Sequence, residues 1–263
     1  MCDLTTRQVT RRAPGNPPPT SRASTSRSWP LCVDSDLLTT AATDVAFAIP
    51  AILAITLHEA AHGYAALFKG DPTAKEAGRL TLNPIRHVDP VGTVLLPGFL
   101  IATGVPFFFG WAKPVPVDFS RLRNPRRDMV LVAAAGPGTN LILAIVSALL
   151  IHLALLAPDP SRQWFVDMLV QSMRFNVILG LFNMIPLPPM DGGRVAVGLL
   201  PLPAARALAR LENYGMFIIL GAVVILPWLG SYIGADLNIL AWTILPLTDA
   251  VVNLIAAATG LTG

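Results

Sequence analysis

The sequence is poor in charged residues, which make up only 13% of its 263 positions. An ordinary soluble domain has about 25% charged residues, so this composition nearly excludes a water-soluble globule. Hydrophobic residues reach 53%, and the mean hydropathy is +0.59. These values are typical of a multi-pass membrane protein that is surrounded by a lipid bilayer.

Cysteine is also scarce, because only Cys2 and Cys32 occur and both lie near the N-terminus. Two cysteines in a polar segment exclude a disulfide framework and a zinc ribbon. The net charge is only +3, and the basic residues are grouped between apolar stretches, as in the loops of membrane proteins. We therefore expect no nucleic-acid partner.

The first 43 residues differ from the rest of the chain. Residues 1–43 combine arginine, proline, serine and threonine without any apolar periodicity. Such a segment cannot bury enough apolar surface to fold by itself. We predict a disordered tail over residues 1–43 and one polytopic membrane domain over residues 44–263.

Six apolar stretches follow the tail, and a helix that spans a bilayer needs about 20 such residues. The second stretch contains glycines and prolines that suit a re-entrant hairpin better than a straight helix. Just before it, Arg79–Leu82 alternates polar and apolar residues, as a short strand does. We expect an all-α membrane protein with five to six transmembrane helices and a re-entrant or short β segment between the first two core helices. The stretches cover approximately residues 45–68, 91–111, 129–157, 165–186, 214–229 and 237–258.

The segment HEAAH at residues 58–62 is the strongest chemical signal. Two histidines four residues apart lie on one face of a helix, where both imidazoles can bind one Zn²⁺. Glu59 is rotated away from them and can act as a general base toward water. The alternative is a solvated helix face, but a helix that starts at Val45 places His58 about 20 Å into the membrane core. Ionisable groups at that depth are functional by default.

Zinc in a hydrolytic site needs a third protein ligand, and Asp191 is the candidate. It follows an apolar span that is broken by prolines, and two glycines come directly after it. The alternative is a simple helix C-terminus with a proline and glycine stop. The distribution of lysine and arginine along the chain orients the spans so that His62 and Asp191 lie on the same side of the membrane.

Three motifs together resemble the site-2 protease family of intramembrane metalloproteases. They are HEAAH at 58–62, the Gly-Pro-x-x-Asn motif at 136–140, and the Asn-x-x-Pro-x-x-x-x-Asp-Gly motif at 183–192. The resemblance implies that His58, His62 and Asp191 bind zinc and that Glu59 is the catalytic base. It further implies that Asn140 and Asn183 position the substrate or donate to the oxyanion. Hydrogen bonds between helices are an alternative role for both asparagines.

Residues 78–90 also resemble the compact branch of that family, which lacks PDZ and CBS domains. In this segment His87 and Asp89 either line the mouth of the site or order a turn, and the second is favoured. We expect a zinc-dependent endopeptidase in the cell membrane that cleaves membrane-embedded proteins. A membrane zinc transporter is the alternative, and a catalytically inactive scaffold is a third reading.

Overall fold

The computed structural model describes residues 35–102, 110–159 and 161–261, and up to residue 47 it describes the backbone alone. These residues form helices joined by loops and turns, with no strand among them. Four short non-α helical turns occur at Pro84–His87, Pro90–Leu95, Phe119–Arg121 and Gly221–Ile225. The α-helices are α1 (Ser35–Phe68), α2 (Thr73–Glu76), α3 (Leu96–Ala102), α4 (Pro125–Ala154), α5 (Ser161–Asn183), α6 (Asp191–Leu199), α7 (Leu202–Ala209), α8 (Glu212–Leu220), α9 (Leu226–Ile233) and α10 (Ile239–Ala258).

Five helical segments in the described part of the chain are long and apolar enough to cross a membrane. They contain between 20 and 30 residues each, which matches the length needed to span a hydrocarbon core of about 30 Å. The predicted all-α membrane fold with five to six transmembrane helices is therefore confirmed. The five segments are Ala48–Phe68, Pro125–Ala154, Ser161–Asn183, Glu212–Ile233 and Ile239–Ala258.

The start of α1 bears on the predicted division of the chain. This helix begins at Ser35, nine residues before the predicted boundary at residue 44. Residues 1–34, which make up most of the predicted tail, lie outside the described residues. The division into a tail and one membrane domain stays a prediction.

The short strand predicted at Arg79–Leu82 is wrong, since this part of the described chain contains no strand. Its backbone carries no ladder to a neighbouring strand. Instead, the guanidinium Nη2 of Arg79 donates to the carbonyl oxygen of Lys113 at 2.9 Å, and Nε2 of His87 donates to Thr81 O at 3.0 Å. An alternating pattern indicates extended backbone, but a strand also needs a partner strand, which the local pattern cannot supply.

The glycine- and proline-rich stretch at 91–111 starts as a helix and returns to its starting point. The carboxylate of Asp89 caps this helix by accepting from the backbone N–H groups of Val91 and Gly92 at 3.0 and 2.7 Å. At the far end, the N–H of Trp111 donates to Gly92 O at 3.1 Å. The apolar helix Pro90–Leu100 is too short to be a membrane span, and residues 103–109 lie outside the described residues. Re-entry of this hairpin into the membrane stays a prediction.

Helix α4 is the centre of the bundle, because it packs against α1, α5 and α6. A buried apolar cluster joins α4, α5 and α10 and consists of Ala144, Ala148, Met173, Val177 and Ile255. The small side chains on α4 allow the neighbouring helix backbones to come close, as is usual where helices pack in membranes. This packing places the middle of α1 directly against the middle of α4.

A tight turn connects α5 to α6 and determines where α6 begins. The chain folds back so far that a Cβ atom on Gly192 would lie 2.7 Å from Ile185 O, and one on Gly193 would lie 2.6 Å from Pro188 Cδ. Both glycines are buried, so a side chain at either position would push the turn away from α6. The two glycines that follow Asp191 therefore hold the first residue of α6 at the end of the bundle.

Candidate metal centre

The two histidines of the HEAAH segment face each other on one side of α1. Their ring centroids are 4.7 Å apart, and their Nε2 atoms are 3.1 Å apart. His58 and His62 are only 4% and 8% exposed, because α4 covers this face of α1. A pair four residues apart on a helix predicts this arrangement, and the structure has it.

Asp191, the first residue of α6, completes the cluster. Its Oδ2 atom lies 3.2 Å from Nε2 of His58 and 3.2 Å from Nε2 of His62. Three potential ligand atoms from α1 and α6 thus form a nearly equilateral triangle. The structure brings together the three residues that the sequence analysis selected as metal ligands, although 129 positions separate His62 from Asp191.

The partners of the two Nδ1 atoms determine which ring nitrogens are free. Nδ1 of His62 lies 2.7 Å from the carbonyl oxygen of Val132, and a carbonyl only accepts, so this nitrogen is the donor. Nδ1 of His58 lies 2.6 Å from Oδ1 of Asn140, which is an acceptor as well. With the proton on Nδ1, each neutral imidazole presents the lone pair of Nε2 to the centre of the triangle.

The donor set fits a zinc ion. Two imidazole lone pairs and a carboxylate oxygen point at one another, and such atoms repel unless a cation lies between them. Oδ2 of Asp191 is buried and has no hydrogen-bond partner, although a buried carboxylate oxygen normally has one. Two histidines and one carboxylate are the ligand set of many hydrolytic zinc sites. His58, His62 and Asp191 can therefore hold Zn²⁺.

Gly136 of α4 forms the floor of this centre. A Cβ atom at this position would lie 2.6 Å from Cε1 and 2.7 Å from Nε2 of His58. Only glycine lets the backbone of α4 approach the imidazoles so closely. Gly136 belongs to the Gly-Pro-x-x-Asn motif, and the structure shows the steric reason for a glycine there.

Glu59 is half-buried beside the histidine pair. Its Oε2 atom accepts a hydrogen bond of 2.9 Å from the backbone N–H of Val115. Val115 belongs to the loop 110–118, which thereby contacts α1 beside the histidine pair. One carboxylate oxygen of Glu59 is held in place by this contact, and the role of Glu59 as a general base stays a prediction.

The two predicted asparagines have different surroundings. Asn140 is completely buried, and its amide contacts His58 on one side and Asn176 on the other. Asn183 is half-buried at the end of α5 and donates from Nδ2 to Leu179 O in its own helix at 2.9 Å. For both residues, substrate positioning stays a prediction.

The sequence analysis missed Asn176, which is 2% exposed and donates from Nδ2 to Ser172 O at 2.9 Å. A signal for it exists, because Asn176 precedes Asn183 by seven residues and therefore lies on the same face of α5, two turns away. It also missed the backbone oxygen of Val132, for which no side-chain pattern offers a signal.

The chain is similar to proteins that carry the name of a zinc metalloprotease. It is 42% identical over 193 residues, covering 70% of this chain and 82% of the relative, to "Putative zinc metalloprotease YwhC" of Bacillus subtilis. It is 30% identical over 181 residues, covering 69% of this chain and 67% of the relative, to "Putative zinc metalloprotease Rip2" of Mycolicibacterium smegmatis. No family model matches the chain, and no solved structure matches it.

Similarity at this level over most of both chains agrees with the geometry of the site. The relatives carry the name of the metal for which the two imidazoles and the carboxylate are suited. We conclude that this chain belongs to the zinc metalloprotease family of YwhC and Rip2, and that its cofactor is Zn²⁺.

Proposed function

We propose that the protein is an intramembrane zinc endopeptidase of the site-2 protease type, in its compact branch. It resides in the cell membrane and hydrolyses peptide bonds of proteins that are themselves embedded in the bilayer. The observation that supports this proposal most directly is the meeting of three ligand atoms, 3.1–3.2 Å apart, among helices of membrane-spanning length.

The depth of the centre favours an intramembrane substrate. His58 lies ten residues before Phe68, where α1 ends, and ten residues of helix extend about 15 Å. The centre is then near the middle of a hydrocarbon core of about 30 Å. A peptide bond that reaches it must belong to a chain that lies within the bilayer or is drawn into it.

His58, His62 and Asp191 would hold the zinc ion. Zinc in such a site supplies a Lewis acid that polarises a carbonyl group and lowers the pKa of water. Glu59 accepts the proton of the attacking water on its free carboxylate oxygen, while the N–H of Val115 holds Oε2. The same carboxylate then delivers the proton to the leaving amide nitrogen.

Two loops beside the site can contact an unwound substrate. Val115 and Leu80 both lie next to Gly63, one turn after Glu59, where a Cβ atom would be 3.0 Å from Val115 Cγ1 and 2.5 Å from Leu80 Cδ2. We assign the contact with the substrate to these loops and to Asn183, at the end of α5.

The test compares Glu59→Gln, Asp191→Ala and a control, Glu76→Gln. Glu76 is an exposed glutamate outside the site, paired with Arg121 at 2.9 Å. Each variant is purified in detergent, its zinc content is measured, and cleavage of a single-span reporter protein is followed. We expect Glu59→Gln to keep zinc and lose cleavage, Asp191→Ala to lose both, and Glu76→Gln to keep both.

Cleavage by Glu59→Gln at the rate of the unmodified protein would contradict the role of Glu59. A second arm reconstitutes the protein in vesicles and measures zinc flux together with cleavage. Zinc flux without any cleavage would contradict the protease and favour the transporter.

A further inference from the structure

The buried amide of Asn176 is connected to the metal centre through one other side chain. Nδ2 of Asn140 donates to Oδ1 of Asn176 at 2.9 Å, and Oδ1 of Asn140 accepts from Nδ1 of His58 at 2.6 Å. Asn140 and Asn176 are 0% and 2% exposed. The chain of contacts runs from α5 through α4 to α1.

The direction of each hydrogen bond in this series of contacts follows from the bond that Asn176 makes with Ser172. Nδ2 of Asn176 lies 2.9 Å from the carbonyl oxygen of Ser172, and a carbonyl can only accept. The amide oxygen of Asn176 must therefore face Asn140, and it can only accept the Nδ2–H of Asn140. This orientation in turn directs Oδ1 of Asn140 toward His58 and makes Nδ1 of His58 the donor.

We infer that Asn176 is a positioning residue for the metal centre, since it determines the amide orientation of Asn140 and through it the tautomer of His58. With Asn140 in the opposite orientation, its NH₂ group would face Nδ1 of His58, and the imidazole proton would move to Nε2. That nitrogen could then no longer bind a metal. His62 needs no such relay, because the Val132 carbonyl fixes its tautomer directly.

A second contact of Asn140 does not replace this function. Its Nδ2 also lies 3.5 Å from Ala54 O, which is longer than the range of about 2.7–3.2 Å for an N–H···O hydrogen bond. Only Asn176 offers Asn140 an acceptor at normal hydrogen-bond distance among the contacts described. The orientation of the Asn140 amide thus depends mainly on Asn176.

This inference rests on the metal centre of the proposed function. The test measures zinc affinity and not cleavage, so the inference can fail while the proposed proteolysis holds, and the reverse. Asn176→Leu removes the acceptor at nearly unchanged volume. The control Ser147→Ala removes a different hydrogen bond between α4 and α5, the contact of 2.8 Å between Ser147 Oγ and Ser172 Oγ. Zinc affinity is determined by competition with a chromogenic chelator, and the visible spectrum of the cobalt-substituted protein reports the ligand set.

We expect Asn176→Leu to lower zinc affinity by about 10–100-fold, as loss of residues that orient metal ligands does. Ser147→Ala should bind zinc like the unmodified protein. The decisive arm is Asn140→Asp, because a carboxylate accepts from His58 in either orientation. In that background Asn176→Leu should no longer lower zinc affinity, and the cobalt spectra of Asn140→Asp and of the double variant should be alike.

Two results would overturn the inference. One is a zinc affinity of Asn176→Leu equal to that of Ser147→Ala. The other is a loss of affinity that persists undiminished in the Asn140→Asp background, since it would show that Asn176 matters only for helix packing. If Asn176→Leu does not purify as a folded protein, Asn176→Ala removes the same acceptor and serves in its place.

Discussion

Replacing Gly136 by alanine should destroy metal binding while leaving the helix bundle intact. The added Cβ atom would lie 2.6–2.7 Å from the imidazole of His58, whereas non-bonded heavy atoms rest at about 3.5 Å or more. The ring must therefore move by nearly 1 Å. Metal–ligand distances tolerate about 0.2 Å, and a misplacement of about 1 Å in a catalytic site can reduce the rate about 100-fold.

The neighbouring glycine provides a matched control for this prediction. Gly138 is on the same helix two residues later, it is exposed, and a Cβ atom there would meet nothing within 4 Å. Both substitutions raise intrinsic helix propensity, by about 0.8–1.0 kcal/mol. A difference between Gly136→Ala and Gly138→Ala can then come only from the contact with the histidines.

The assay measures zinc content, zinc affinity by chelator competition and helix content by circular dichroism. We expect Gly136→Ala to keep the helix content and to lose zinc and cleavage, and Gly138→Ala to behave like the unmodified protein. Full zinc affinity in Gly136→Ala would refute the argument, because it would show that the imidazoles can retreat without leaving the ligand positions.

Three further predictions concern the centre and its supports. Removing the metal with a chelator should abolish cleavage. It should also lower the melting temperature, because three lone-pair atoms then face one another at 3.1–3.2 Å. Activity that returns on addition of zinc would show that loss of the metal is the cause. Arg174→Met should lower the free energy of unfolding by up to about 3 kcal/mol, since it leaves Asp249 without its partner at 2.9 Å within a membrane span. Adding Asp249→Asn to this variant should recover part of the loss, and thermal unfolding measures the stability of both variants. Asp71→Ala should lower the free energy of unfolding by on the order of 3 kcal/mol, because the fully buried carboxylate accepts from the N–H groups of Thr73 and Asp118 at 2.9 and 2.8 Å; unchanged stability would contradict this.

The spanning helices could be predicted because their signal is local. A run of about 20 apolar residues satisfies its backbone hydrogen bonds within itself and fits the bilayer by length alone. The strand at Arg79–Leu82 could not be judged in this way, since a strand depends on a partner elsewhere in the chain. The two helices α6 and α7 were also missed, because they are short and lie between the fourth and fifth of the predicted apolar stretches.

In the metal site too, the features with a local signal could be predicted and the others could not. The spacing of His58 and His62 places both rings on one helix face whatever surrounds them, and the cost of burying ionisable groups in a membrane indicates that they bind something. Asp191 could be selected because the order of the spans brings it to the same side. By itself, then, the sequence determined the membrane-spanning class, the metal and its three candidate ligands.

Only the tertiary structure decided how those ligands are oriented. The carbonyl of Val132 and the Cβ-free backbone of Gly136 reach the histidines from α4, and the amide of Asn176 on α5 contacts Asn140, which in turn contacts His58. Both helices pack against α1 although they are far from it in sequence. A backbone oxygen and a missing side chain leave no chemical pattern that the sequence could display. Their function arises from the close approach of helices, because hydrogen bonds and steric contacts depend on distances that the chain acquires only on folding.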